Sequence, residues 1–366
     1  MSTTQKGMPY VRLGNSGLKV SKIILGTAQY GTSEWQDWII GEEEAVIHIK
    51  AAYDAGVNTF DTADSYSNGL SEVILGNAIK KLNLPRDEIV VMTKISNVVG
   101  RSPGEKVFNS AVHTDQLGYV NQRGLSRKYI FASIKKSLER LQLDYVDVLH
   151  CHRFDTETSI EETMQALHDV VQAGHVRYIG MSSCWAYQCT FDIYFVYISD
   201  LNASSVQAMQ NYAIANHLTP FISMQNHHSL IYREEEREMF PTLKMFGVGC
   251  IPWSPLARGL LTRPLQVGEQ TIRRKTDPAI NLYVQHESDK DIINRLEQVA
   301  EQKGASMAQI ALAWSMAQDI VTAPIVGPMS LKHLQDLLGA VDITLTAKEL
   351  KYLEESYKPK CVIGHI

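Results

Sequence analysis

At 366 residues the chain has enough material for one large α/β barrel or two ordinary domains. Its 45% hydrophobic and 20% charged content fits a soluble globular protein with an ample core. A formal charge of -5 without any Lys/Arg run argues against nucleic acid or an anionic membrane surface as partner. The opening "MSTTQKGMPYVRLG" lacks the apolar core of a signal peptide, and no uncharged apolar run is long enough to span a bilayer, so a cytoplasmic protein is expected. Five cysteines (151, 184, 189, 250 and 361) are odd in number and fall in no metal-ligand spacing, which favours reduced thiols.

Taken in chain order, "VRLGNSGLKVSKI" reads as a β-hairpin turning at Asn15–Gly17, placed to plug the floor of a barrel. Apolar strand-like runs follow at 22–27, 57–64, 88–94, 146–152, 176–183, 221–226, 248–254 and 320–327. Helix-period segments lie between them, as at 42–56, 126–141 and 159–174; Gly56 and Gly174 stand where a helix closes in a left-handed turn. Eight strand–helix pairs with nearly all-apolar strands predict a (β/α)8 TIM barrel with an N-terminal β-hairpin and long βα loops, spanning 1–366 as one domain. A doubly wound sheet is the alternative, disfavoured because no GxGxxG follows any strand and no composition break marks a second domain. The mixed-charge cluster "REEEREMF" (233–240) reads as a solvated helix face.

Three connections are long: 95–125, 184 to about 206, and 255–287. Loops after barrel strands build active sites, so the first and third read as walls over a pocket. The second contains "CTFDIYFVYISDLNASS" (189–205), whose strand-like composition conflicts with the helical period around it. It reads as an excursion from the barrel, either a lid or sequence foreign to the fold.

A barrel brings polar residues at strand C-termini to one mouth. Those residues are Asp61 in "NTFDTADSYSNGLSE", Tyr66 just beyond it, Lys94 and His152. Each alone has a plain structural reading, a turn former, a packed ring, a snorkelling lysine or a hydrogen-bonded core histidine. Together they make a machine for carbonyl chemistry. A tyrosine hydroxyl can give a proton to a carbonyl oxygen as hydride reaches the carbon, but an ordinary phenol, with a pKa of about 10, holds that proton tightly. A neighbouring ammonium stabilises phenolate, a carboxylate keeps the ammonium charged and aimed, and an imidazole orients the carbonyl.

"FDTADSY", the strand ending in Lys94, "DVLHCHR" and "GMSS", in that order, resemble the aldo-keto reductases, over the chain from about residue 9 to its end. "YSNGLSE", "CHRFD", "PWSPLARGLLTR" and the tail "YLEESYKPKCVIGH" are most similar to fungal aryl-alcohol-dehydrogenase-like and versiconal hemiacetal acetate reductase-like members. The resemblance implies a catalytic tetrad of Asp61, Tyr66, Lys94 and His152, and NADPH bound extended across the mouth. It implies that Ser182, Ser183 and Gln225 hold the nicotinamide carboxamide, Trp253 stacks under the ring, and Ser254, Leu256, Arg258 and Gly259 line the pyrophosphate. Gly26 and Thr27 fall where relatives touch the nicotinamide ribose. At the adenine end "GPMSLKHLQDLL" (327–338) departs from the family pattern, leaving Gly327 and Asp336 as the clear matches, with Lys332 or His333 facing a 2′-phosphate or solvent. By loop position, Trp35, Trp38 and Tyr119 are candidate walls of an aromatic-tolerant substrate pocket.

The implied function is NADPH-dependent reduction of an aryl aldehyde or a polyketide-type carbonyl, by a monomer or weak homo-oligomer. The rival from another class is a cofactor-binding regulatory subunit like the potassium-channel β subunits, which share the fold and tetrad. His150 and His152 share a strand face, as metal hydrolases arrange their ligands, but neither "MQN" nor "PWS" at neighbouring strand ends adds a ligand, so no metal is expected.

Overall fold

A computed structural model describes residues 7–107, 112–185, 208–266 and 271–363. The 189–205 segment lies outside the described residues. Strands β1 (Tyr10–Arg12) and β2 (Lys19–Ser21) pair antiparallel, Val11 opposite Val20, as the expected hairpin. Its tip is anchored where Asn15 N–H donates to Gly247 O at 2.8 Å. Leu13 and Val20 are buried with Ile24, Val90, Met92, Val148 and Ile251. These side chains fill the lower barrel, so the hairpin is its plug.

Eight parallel strands follow in ring order: β3 (Ile24–Gly26), β4 (Thr59–Asp61), β5 (Val90–Ile95), β6 (Val146–Cys151), β7 (Val176–Ser182), β8 (Phe221–Gln225), β9 (Gly249–Cys250) and β10 (Ile325–Val326). β10 pairs with β3, and the ring closes where Thr322 N–H donates to Cys250 O and Ile325 N–H to Pro252 O, each at 2.8 Å. The outer helices include α1 (Glu42–Asp54), α2 (Leu70–Lys81), α3 (Arg127–Leu141) and α4 (Ile160–Gln172). Ser126 and Ser159 cap α3 and α4, each accepting a backbone N–H of the first turn. Further round lie α5 (Ala208–Ala215), α6 (Met239–Phe246), α7 (Ile272–Thr276), α8 (Glu287–Lys303), α9 (Met307–Ala317), α10 (Leu331–Leu338) and α11 (Ala347–Glu354). The fold is a (β/α)8 barrel, as the alternation predicts.

Period-two alternation sorts each strand's side chains. Val91 and Ile95 of β5 join the layer under the helices, while Met92 points inward with Val148 of β6. Polarity rises toward the C-terminal ends, where Asp61, Lys94, His150, Ser182 and Gln225 are all buried. Gly180 makes room for His150, since a Cβ there would stand 2.4 Å from the imidazole Cδ2. His150 Nε2 then pairs with Ser223 Oγ at 2.8 Å inside the barrel.

The cluster at 233–240 is not a solvated helix face. Glu234 and Glu235 are buried; Glu234 Oε1 accepts from Tyr357 Oη at 2.6 Å and Lys360 N at 2.7 Å, and Glu235 Oε2 accepts from Asn226 Nδ2 at 2.9 Å. A charge run is a solvated face only when nothing else needs its carboxylates. Here the C-terminal tail docks on them, and Lys360 reaches Asp289 at 2.7 Å.

Under the mouth, a second carboxyl pair lies between β4, β5 and α3. Glu72 accepts from Thr93 Oγ1 at 2.5 Å and Arg140 Nε at 2.6 Å, so its charge is paired. Asp64 has no cation within 4 Å among the described residues; its Oδ2 is 3.5 Å from the Tyr129 hydroxyl and its Oδ1 has no partner among them. Burial first, and then the Glu72 charge, push the Asp64 carboxyl well above the usual range. A folded-state value above the unfolded value of about 3.9 means the contribution to stability is complete below that value and is lost as pH rises toward the folded one. Asp64→Asn is uncharged in both states, so its unfolding free energy relative to wild type should climb as pH rises from about 4 toward neutrality, by at most roughly 1.4 kcal/mol per pH unit, read from melting curves. Parallel melting curves across that range would show instead that Asp64 is ionised.

Candidate active site

β4 ends in Asp61 and β5 runs beside it, which sets Lys94 against the carboxylate at the mouth. Both side chains are nearly sealed from solvent, Asp61 at 3% and Lys94 at 1% exposure. The three ammonium protons have three acceptors: Asp61 Oδ2 at 2.6 Å, Thr62 O at 2.7 Å and the Tyr66 hydroxyl at 3.4 Å. Burial alone would pull Lys94 down, but Asp61 and Tyr66 outweigh it and hold the ammonium above its usual value. Burial pushes Asp61 up, opposed by Lys94 and by Gln225, whose Nε2 donates to Asp61 Oδ1 at 2.5 Å. With both oxygens answered by donors, the pair stays ionised.

Tyr66 stands on a short turn, Tyr66–Gly69, in which Ser67 and Asn68 are left-handed at φ 46° and 51°. The Asn68 side chain holds that turn to the long loop. Its Nδ2 donates to Ser102 O and Glu105 O, each at 2.8 Å, and its Oδ1 accepts Gly100 N–H at 2.9 Å. His152 follows β6, with its ring edge-on to Tyr66 at 5.8 Å and 86°. Burial first, then the charges of Arg153, Lys94 and His150, hold its imidazole well below the ordinary value, so it is neutral. Asn97 Nδ2 lies 3.2 Å from His152 Nδ1, which leaves Nε2 to carry the ring proton when the amide donates. The Tyr129 hydroxyl pins Asn97 in turn through its carbonyl at 2.6 Å.

The rim across β7 to β9 gathers the other predicted residues. Ser182 Oγ donates to Gln225 O at 3.1 Å, and Ser183, left-handed at φ 39°, accepts Trp253 Nε1–H at 2.9 Å. Trp253 is half-buried and stacks on His227 at 4.1 Å and 11°; His227 stacks on Tyr232 at 4.0 Å. Ser254, Ala257, Arg258 and Gly259 all have positive φ, a tight loop around Leu256 that curls the chain at the mouth. Arg258 Nη1 meets Asp277 at 2.6 Å and Arg273 Nε reaches the same oxygen at 3.3 Å, so two cations share one carboxylate and a positive charge is left over. The Arg273 guanidinium also lies 4.2 Å over Trp38, which joins the 255–287 loop to the loop after β3.

Some predicted residues hold positions with work of their own. The Thr27 hydroxyl is paired with Ser71 at 2.8 Å, and Gly26 abuts Ile325. At the far end Gly327 and His333 are exposed, and Asp336 Oδ2 accepts from Ser306 Oγ at 2.7 Å, at the N-cap of α9. Trp35 is half-buried at the rim. Tyr119 is 1% exposed, packed with Val98 and Val107, and its hydroxyl donates to Glu105 at 2.6 Å. It braces the long loop and has almost no surface to offer a substrate. Residue reasoning missed Asn68, Asn97 and His227. Asn68 lies inside the stretch that supplied Asp61 and Tyr66, but Ser-Asn-Gly reads as an ordinary turn, and no pattern signals Asn97.

Comparison with known proteins agrees with this geometry. The model of the Aldo/keto reductase family matches residues 22–358. The versiconal hemiacetal acetate reductase of Aspergillus parasiticus is 46% identical over 358 residues, 97% of this chain and 98% of the relative. A Schizosaccharomyces pombe protein provisionally named an aryl-alcohol dehydrogenase is 46% identical over 364 residues, 98% of each chain. An aldo-keto reductase of Fusarium vanettenii is 43% identical over 370 residues, 100% of this chain and 95% of the relative. With its family model matched across nearly the whole length and a lysine, an aspartate and a tyrosine joined at the barrel mouth, the chain belongs to the aldo/keto reductase family of oxidoreductases.

Proposed function

We propose that the protein is an NADPH-dependent reductase of aryl aldehydes or polyketide-type ketones, with Tyr66 as the proton donor. The observation that carries this reading is the Lys94 ammonium held between Asp61 and the Tyr66 hydroxyl, with the His152 ring edge-on to the Tyr66 ring. A bound reduced nicotinamide would supply the hydride to the carbonyl carbon. The rim fits such a group. One face of Trp253 is covered by His227, leaving the other for a flat ring, and the surplus positive charge at Arg258 and Arg273 suits a pyrophosphate.

The chain's own residues then divide the work. Neutral His152 orients the carbonyl oxygen through its Nε2 proton. Tyr66 gives that oxygen its proton as negative charge develops on it. Lys94 faces the phenolate that results and needs no reorganisation to do so, since its position is fixed from behind by Asp61 and Thr62. The names of the relatives, a versiconal hemiacetal acetate reductase and a provisional aryl-alcohol dehydrogenase, favour aromatic carbonyls, and the rim residues Trp35 and Trp38 suit such rings.

Tyr66→Phe should lose reduction of 4-nitrobenzaldehyde by on the order of a hundredfold or more while NADPH affinity stays within a few-fold, because only the proton donor is removed. Retention of most of kcat would take the acid role away from Tyr66, and an absence of turnover in the wild type would favour a cofactor-binding regulatory role instead.

Lys94→Met should be as damaging to kcat and should also lower stability by roughly 3–5 kcal/mol, because Asp61 is then a buried charge without a cation. A near-normal rate with an unchanged pH profile would reject the tetrad.

NADPH should be preferred over NADH, by less than in relatives whose 327–338 segment keeps the family pattern. One contact to the 2′-phosphate is worth roughly 1.5–3 kcal/mol, about tenfold or more in kcat/KM. The ratio of kcat/KM for the two cofactors measures it, and a clear NADH preference would overturn the cofactor assignment.

A further inference from the structure

Arg153 is the residue next to His152 at the end of β6, and its half-buried guanidinium is an unusual group in this protein. The other arginines and lysines whose acid–base equilibrium burial disturbs all have an answer. Lys94, Arg233, Arg258, Arg273 and Lys360 each face a carboxylate within 4 Å, and Lys22 caps the carbonyls of Val321 and Thr322 at the barrel floor. Arg153 has one hydrogen bond, from Nη1 to His152 O at 2.5 Å, and no carboxylate within 4 Å among the described residues. The nearby Asp155 is committed elsewhere, accepting from Leu125 N, Glu157 N and Thr158 Oγ1 at 2.6–2.9 Å. A guanidinium carries five N–H donors in a planar fork matched to a carboxylate. Withdrawing one from water without a counter-ion is unfavourable unless a ligand supplies the anion.

The position of Arg153 identifies that ligand. Its Nη1 rests on the carbonyl of His152, just past the C-terminal end of β6, and the His152 ring packs edge-on to Tyr66, so the guanidinium lies on the Tyr66–His152 side of the mouth. The cofactor phosphates are an unsuitable source, because the Ser254–Gly259 loop follows β9, three strands round the ring from β6. We propose that Arg153 is a specificity residue that binds an oxyanion on the substrate, and that the preferred substrates are carbonyl compounds bearing a carboxylate or an acidic phenol close to the reducible C=O. This rests on the tetrad reading and narrows it from carbonyl compounds in general to acidic ones.

The test compares 2-, 3- and 4-formylbenzoate with their methyl esters, which keep the shape and lose the charge. At least one acid should exceed its ester by about tenfold or more in kcat/KM, chiefly through KM, as one charge-assisted hydrogen bond would give. Arg153→Met should bring that ratio to about one, and Arg153→Lys should leave an intermediate value, with the wild-type ratio deciding alone if the Met variant does not fold. Hydroxybenzaldehydes run above and below their phenol pKa then separate carboxylate from phenolate preference. Acid-to-ester ratios at or below one for all three isomers, or a ratio that survives Arg153→Met, would overturn the proposal. Ester turnover that disappears in Tyr66→Phe reports on the tetrad separately. If no aldehyde is reduced at all, calorimetric titration still decides: acid binding tighter than ester and lost in Arg153→Met supports the anion site, and equal binding refutes it.

Discussion

The mouth of this barrel is organised around one buried ion pair, Lys94 with Asp61 at 2.6 Å. Two nearly sealed charges are costly to take out of water, and the cost is offset only when every remaining donor and acceptor finds a partner. Here each does. Gln225 answers the second Asp61 oxygen, Thr62 O takes one ammonium proton and the Tyr66 hydroxyl the last. The pair thereby fixes the relation of β4, β5 and β8 at their C-terminal ends, and it leaves a single ammonium direction facing the mouth. Site geometry and fold stability are the same constraint at this point.

Around that pair the positions of the side chains are set from behind. Tyr66 is carried by a left-handed turn that Asn68 stitches to the 100–105 loop. His152 is steadied through Asn97, which Tyr129 anchors from α3. Trp253 is fixed by its stack on His227 and by its bond to Ser183. Each group that faces the mouth has a partner that does not. Such support is what a functional constellation needs to keep its geometry, and here it comes from helices and loops behind the mouth.

The sequence was informative where a physical rule acts locally. Nearly continuous apolar runs marked the eight strands, since most of their residues are buried on both faces, and helix stop signals at Gly56 and Gly174 coincide with φ values of 91° and 80°. That Asp61, Tyr66, Lys94 and His152 would meet was legible because they fall at strand ends or just beyond them, and a barrel brings those ends to one mouth. Supporting contacts were not legible. Asn97, Asn68 and His227 act through partners 55, 32 and 56 residues away, and nothing in local composition encodes those pairings. For the same reason the acidic run at 234–236 was misread, its solvation being decided by the docking of Tyr357 and Lys360 more than a hundred residues later. Tyr119 shows the converse. Its loop was identified as a wall, but whether a ring faces the pocket or braces the wall depends on Glu105 and Arg101, which a linear reading does not bring together.

Asp61 and Asp64, three residues apart on one strand end, show how far a neighbour's charge decides what a carboxyl does. Both are buried, and burial pushes both upward. Asp61 meets a lysine and an amide, so it remains an anion that holds an ammonium in place. Asp64 feels the charge of a second carboxylate, Glu72, whose own cation Arg140 is already committed, so its ionisation is opposed. Had the ammonium lain between Asp64 and Glu72, Asp61 would be a buried carboxyl without a cation and the Tyr66 hydroxyl would have no ammonium beside it. The charge presented to the Tyr66 hydroxyl therefore depends on which of two neighbouring aspartates the lysine reaches. The parallel register that places Asp61 opposite Met92, two residues before Lys94, settles that choice.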